Sequence, residues 1–252
     1  MTEAEDTTLP GLGKTPSKGS YLEQSRDLPS SLILVLPLLL FYELGLVVTA
    51  GQTLNGVDFL TVLLLRNWGI NGLLLFNGLL FVAGLGGLYY IKRERNFDPR
   101  IVGGVIIEST IYAVLMGSLI LWIMQHIPGF GSVGLDTGGA HQLGFFDKIF
   151  VSLGAGVNEE LVFRLGIYSG IAWSISRFTK KGIAIAVAVI ASSLLFSLAH
   201  YVGPEAFNMF SFVYRILAGA LFCALFLVRG FAVAVYTHAI YDIYVMVFQN
   251  SG

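Results

Sequence analysis

The stretch Gly154-Ala155-Gly156-Val157-Asn158-Glu159-Glu160-Leu161-Val162-Phe163-Arg164 puts two adjacent carboxylates and an arginine inside an apolar segment running from about Phe146 to Trp173. A charge at membrane depth costs roughly 2.5–3.5 kcal/mol on insertion scales, so ionisable residues there are functional candidates by default. Helix geometry separates their roles. Residues four apart share a face, which pairs Glu160 with Arg164, whereas Glu159 points about 100° away and is left without that partner. The pair reads as architecture and Glu159 as chemistry.

The surroundings of this stretch are apolar along nearly the whole chain. Of 252 residues, 55% are hydrophobic and 12% charged, against about 25% charged in soluble domains, so the composition specifies an all-α polytopic transmembrane bundle. A net charge of −1 argues against a nucleic-acid partner. The single cysteine, Cys223, excludes an internal disulfide and a cysteine-based metal cluster and reads as a small buried hydrophobe.

Residues 1–30 are polar and contain Pro10, Pro16 and Pro29, without an apolar stretch or a small-residue cleavage site. They are expected to form a mobile cytoplasmic tail ahead of a single membrane domain, 31–252. Spans are predicted over about Ser31–Ala50, Gly69–Ile91, Ile101–Met124, the segment around Glu159, Gly182–His200, Met209–Val228 and Phe231–Phe248. Phe59–Leu65 is too short to cross and reads as an interfacial or re-entrant helix; were 57–66 to cross, the spans would number eight instead of seven. Lys and Arg gather in the tail, at 92–100, at 177–181 and at Arg229, while Arg66 and Lys148 stand opposite. Positive residues stay inside, which predicts an inner-membrane protein with a cytoplasmic N-terminus and an outer C-terminus.

Further polar groups recur at a spacing of four. Phe196-Ser197-Leu198-Ala199-His200 ends one span, and His238-Ala239-Ile240-Tyr241-Asp242 lies within the last, where His238 and Asp242 share a face. At 1.5 Å per residue, Glu159 and His238 sit roughly 18 and 15 Å below the outer ends of their helices, with His200 near the outer surface, so convergence within the outer half is geometrically open. A carboxylate beside a histidine can draw a proton from water, and a histidine with a second polar group can donate to the oxyanion that forms. No serine or cysteine stands beside these groups as a nucleophile. Glu43, Glu108 and Arg215 are also charged within spans; mutual pairing and the lining of a substrate groove are both open for them. Tyr201 and Glu205 could border a cavity mouth, while His126 and His141 fall in an outer loop.

At these residues the sequence resembles the CAAX prenyl protease and bacteriocin-processing family of glutamic intramembrane proteases. The motifs are Glu159-Glu160-x-x-x-Arg164, Phe196-x-x-x-His200 and His238-x-x-x-Asp242, in the family's order, within a motif-bearing core of 145–248. The resemblance implies a CAAX-protease-like fold and an endopeptidase that hydrolyses a membrane protein or a lipid-anchored peptide within the bilayer, without a metal or other cofactor. By the same resemblance Glu159 and His200 activate water, His238 and Asp242 form the oxyanion site, and Glu160, Arg164 and Phe196 support them. Asp242 departs from the family's Asn, and an ionised carboxylate there would repel an oxyanion.

Other functions compete for the same residues. Glu and His could ligate zinc or iron, relay protons in a transporter, or serve a non-proteolytic binding or bacteriocin-immunity protein. Against the transporter stands the lack of a visible internal repeat.

Overall fold

The computed structural model describes residues 20–49, 51, 53, 58–94, 100–130, 143–202 and 206–249. The described residues are helical throughout, without a strand, in the order α1 (Tyr21–Arg26), α2 (Leu28–Val48), α3 (Phe59–Glu94), α4 (Arg100–Gln125), α5 (Phe145–Gly154), α6 (Ser169–Ser176), α7 (Lys181–Ala199), α8 (Met209–Arg229) and α9 (Phe231–Ile243). Between α5 and α6 the chain stays helical but widens into π-helical turns over Ala155–Glu159 and Leu161–Tyr168, and α9 runs on into another over Tyr244–Gln249.

Among the described residues, five helices are long and apolar enough to cross a membrane: 28–48, 61–87, 100–125, 181–199 and 209–229. The two remaining predicted spans are the motif-bearing helix, which carries the charges, and the shorter apolar stretch Phe231–Val247. Apolar side chains on the outer faces, such as Ile107, Leu115 and Trp122 on α4, are more than half exposed. A contiguous surface of this kind suits lipid rather than water.

Local chemistry sets the helix ends. Asp27 caps α2 by accepting from the Ser30 backbone N–H at 3.0 Å and its hydroxyl at 2.8 Å, with Pro29 in the first turn where its missing N–H is harmless. Asp58 caps α3 through the Thr61 N–H at 3.0 Å, and Asn208 caps α8 through the Ser211 N–H at 3.1 Å.

Within α3, Gly69 leaves the helical region with φ 59° and ψ −152°, a conformation that glycine adopts without steric cost. The break falls between the short piece Phe59–Leu65 and the span predicted from Gly69. Two contacts measure the bend. Asp58 accepts from Tyr42 at 2.9 Å, and Asn77 donates to Glu43 at 2.9 Å. A straight helix would hold residues 58 and 77 about 28 Å apart, farther than neighbouring side chains on α2 can bridge. The first ten residues of α3 therefore turn away from the axis of the rest.

The boundary of the tail moves. Residues 20–30, assigned to it by the sequence, pack against the bundle: α1 is helical, Ser25 and Ser31 are buried, and the Ser31 hydroxyl donates to the Ser25 carbonyl at 3.1 Å. The cause is a polar anchor beyond reach of local sequence reading. Tyr21 donates to Glu108 of α4, and Arg229 at the end of α8 donates to Glu108 at 2.7 Å and to the Ser25 hydroxyl at 3.3 Å. Residues 1–19 of the predicted tail lie outside the described residues.

At the centre stands α9. Phe231, Ala232, Val233, Ala234 and Val235 are buried on every side, and the helix packs on α2, α4, α5, α8 and the first widened turn. Small residues on alternate faces let the neighbouring backbones close in where lipid supplies no hydrophobic drive. The helix surrounded most completely by protein is thus the one that carries His238.

Candidate active site

The three motifs meet at one place. Glu159 and Glu160 enter from the widened turns, Phe196 and His200 from the end of α7, and His238 and Asp242 from α9. The widening matters because a π-type turn, an i→i+5 insertion into an α-helix, shifts the register of the side chains around it and recurs at functional sites. Here it allows neighbouring glutamates, which a regular helix would aim about 100° apart, to address one imidazole from two sides.

Glu160 is fully buried and accepts from His238 Nδ1 at 2.8 Å through one oxygen. Its other oxygen lies 3.1 Å from Arg164 Nε. The expected Glu160–Arg164 pair is therefore present, and it has a second purpose that i,i+4 reasoning did not expose: Glu160 fixes the ring of His238. Arg164 is fully buried too; its Nη2 donates to the Gly219 carbonyl at 3.2 Å, and its guanidinium lies 4.6 Å from the Phe196 ring centre and 5.2 Å from that of Phe222. Two aromatic faces compensate a cation in a site poor in water.

Glu159 is also buried. Its Oε2 stands 3.8 Å from His238 Nε2 and 4.0 Å from His200 Nε2, between the two histidines. His200 Nδ1 lies 2.9 Å from the Phe196 carbonyl. A carbonyl can only accept, so Nδ1 carries the hydrogen and a neutral ring turns the lone pair of Nε2 towards Glu159. The His200 side chain is 27% exposed whereas that of His238 is 4% exposed, which puts His200 on the open side of the cluster.

Aromatic rings hold both imidazoles. The His238 ring stacks on Phe222 at 4.3 Å and 18°, and Phe196 meets the rings of His200 and His238 edge-on at 5.1 and 5.9 Å. Phe196 thus packs against both histidines and the Arg164 cation, more than the sequence assigned to it. Asp242 Oδ2 is 3.6 Å from His238 Nε2, one turn along the same face, and its side chain is 21% exposed.

A close backbone approach brings the glutamates to α9. A Cβ built on Gly156 would lie 2.7 Å from Ala239 Cβ, 2.8 Å from Ala239 N and 2.9 Å from the Val235 carbonyl. Only a residue without a side chain lets the widened turn press against α9 beside His238. Glycine spacing in the motif was visible in the sequence; this use of it was not.

The other charged span residues divide. Glu43 bonds to Asn77 and Glu108 to Arg229, Tyr21 and Tyr112, so both take partners from outside the set of three instead of pairing mutually. Arg215 sits over the Tyr201 ring at 5.4 Å, near the cluster. His126 is exposed with Nδ1 2.7 Å from the Trp122 carbonyl; His141 and Glu205 lie outside the described residues. Among the described residues, no group of three or more His, Cys, Asp or Glu side chains is arranged to hold a metal ion.

A family model described as type II CAAX prenyl endopeptidase Rce1-like matches residues 141–244, the segment that contains every motif residue. The resemblance read from the three motifs is borne out there, and the match supports a peptidase of the CAAX-protease type in a multi-pass membrane bundle. No curated protein and no solved structure matches the chain.

Proposed function

From the family match over 141–244, we propose that this chain is an intramembrane endopeptidase that hydrolyses a peptide bond of a membrane-associated substrate with water activated by Glu159 and His200. The observation that carries the reading is the 4.0 Å between Glu159 Oε2 and His200 Nε2. Two acceptors that share one water, each receiving one of its hydrogens, stand about 4.4 Å apart. A water so held has both protons engaged and its lone pairs turned outward. As it attacks a carbonyl carbon, one proton passes to Glu159 or His200 and later to the leaving amine.

His238 lies on the other side of Glu159. With Nδ1 donating to Glu160, the ring keeps a fixed plane, and carboxylates near both nitrogens suit a ring that donates from each. Nε2–H can then bond to the oxyanion in a site where water competes little. Arg164 holds Glu160, and Phe196 and Phe222 hold the rings; all three act through the residues that touch substrate. Asp242 flanks the oxyanion position and acts through His238. The catalytic domain is 31–252 together with the packed residues 20–30. The distribution of basic residues favours a cytoplasmic N-terminus, an outer C-terminus and residence in the cell membrane.

The test compares termini of membrane proteins, by terminal-peptide mass spectrometry, in cells carrying the wild-type chain or Glu159→Gln. We expect a terminus beside or within an apolar segment only with wild type, because loss of the base removes about 10²–10⁴-fold in rate. The same termini with both proteins, at equal expression, would overturn the reading.

A further inference from the structure

We propose that Arg215 is a positioning residue of this site, the counter-charge of Asp242 across α8 and α9, and that it acts on the reaction through Asp242; this rests on the endopeptidase reading for its kinetic consequences. Three carboxylates surround one imidazole: Glu160 on Nδ1 at 2.8 Å, Asp242 and Glu159 near Nε2 at 3.6 and 3.8 Å. Arg164 supplies one positive charge and is committed to Glu160. Buried carboxylates in excess of cations are costly, so the cluster calls for a second cation on its Asp242 side.

The helix register supplies it. Tyr214 of α8 and Tyr241 of α9 join hydroxyl to hydroxyl, so the turns that carry the next residues, Arg215 and Asp242, face each other across the two helices. A Cβ on Gly117 of α4 would come within 3.1 Å of Tyr241, so α4 backs this clasp closely. Arg215 is half-buried. Four and seven positions along α8, on the same face, Gly219 receives Arg164 and Phe222 stacks on His238. Arg215 therefore continues, one turn outward, the face that already holds the site. Its contact with the Tyr201 ring brings it beside the residue after His200.

The consequence is mechanistic. With Arg215 in place, Asp242 is balanced and His238 can spend its Nε2–H on substrate. Without it, Asp242 competes for that hydrogen and adds negative charge where an oxyanion develops.

The experiment is a double-mutant cycle on the full chain in detergent, with Arg215→Gln, Arg215→Lys, Asp242→Asn and Arg215→Gln/Asp242→Asn. Two quantities are read: thermal midpoint by tryptophan fluorescence, and kcat and KM on a fluorescence-quenched prenylated CAAX peptide. Arg215→Gln should lower kcat about tenfold with KM nearly unchanged, a size usual for coupled groups in one network. Arg215→Lys should restore most of it. In the Asp242→Asn background, Arg215→Gln should cost little further in kcat and should no longer lower the midpoint. Equal losses in both backgrounds would overturn the proposal, and a rise in KM independent of Asp242 would make Arg215 a substrate contact instead. Should the wild-type chain leave the probe uncut, the endopeptidase reading suffers, while the midpoint cycle still decides whether Arg215 and Asp242 are coupled.

Discussion

Two polar clusters are built into this bundle, and they differ in spacing. At the corner between α8 and α9, Glu108 receives Arg229 through both of its oxygens and also Tyr21 and Tyr112, all in direct hydrogen bonds. At the motif site, Glu160 accepts directly from His238 Nδ1 at 2.8 Å, but Glu159 and Asp242 stand 3.6–4.0 Å from the imidazole nitrogens. Direct contact makes a strut, since every lone pair is used on the protein itself. The wider spacing leaves room for a water and a carbonyl among the same kinds of groups. In the proposed reading, contact distance more than residue type divides architecture from chemistry.

Changes on either side of that division have distinct signatures. The largest stability loss is expected from Arg164→Ala, which strands Glu160 in a fully buried position; about 3–5 kcal/mol is typical for breaking such a pair, read as loss of folded protein in the membrane. Normal accumulation would assign Glu160 to chemistry instead of support. Gly156→Ala should come next. Its Cβ would strike the α9 backbone at Ala239, and overpacking costs about 1–3 kcal/mol; we expect a lower thermal midpoint together with lost cleavage, because the same shift moves His238 from Glu159. Glu108→Gln should cost least, about 1 kcal/mol, because the amide keeps an acceptor and its bonds only fall from charged to ordinary strength, with kcat unchanged once the protein is folded. A fall in kcat there, at full folding, would show that the corner strut also tunes the site.

Much of this was legible beforehand, for definite reasons. Hydropathy marks α2, α4, α7 and α8 because each is long and apolar, and the spacing of four in each motif names the site residues because one helix face must present them. The Glu160–His238 bond was not legible: it joins residues 78 apart on helices whose relative rotation depends on a widened turn. Nor was the docking of residues 20–30, whose composition is that of a tail and whose order comes from Arg229 and Glu108, both distant in sequence. Gly69 shows the intermediate case, since segment length suggested a separate short helix while only backbone geometry shows the bend.

The contact at Gly156 bears on how a substrate arrives. With the widened turn pressed onto α9 at Ala239 and Val235, that seam is a wall rather than a doorway, and α9, enclosed on all sides, is poorly suited to act as a gate. In the proposed endopeptidase, a chain that reached Glu159 would come from the side of His200 and Tyr201, where the side chains are partly open. The first histidine such a substrate met would then be the one whose lone pair faces the carboxylate, with the second behind it.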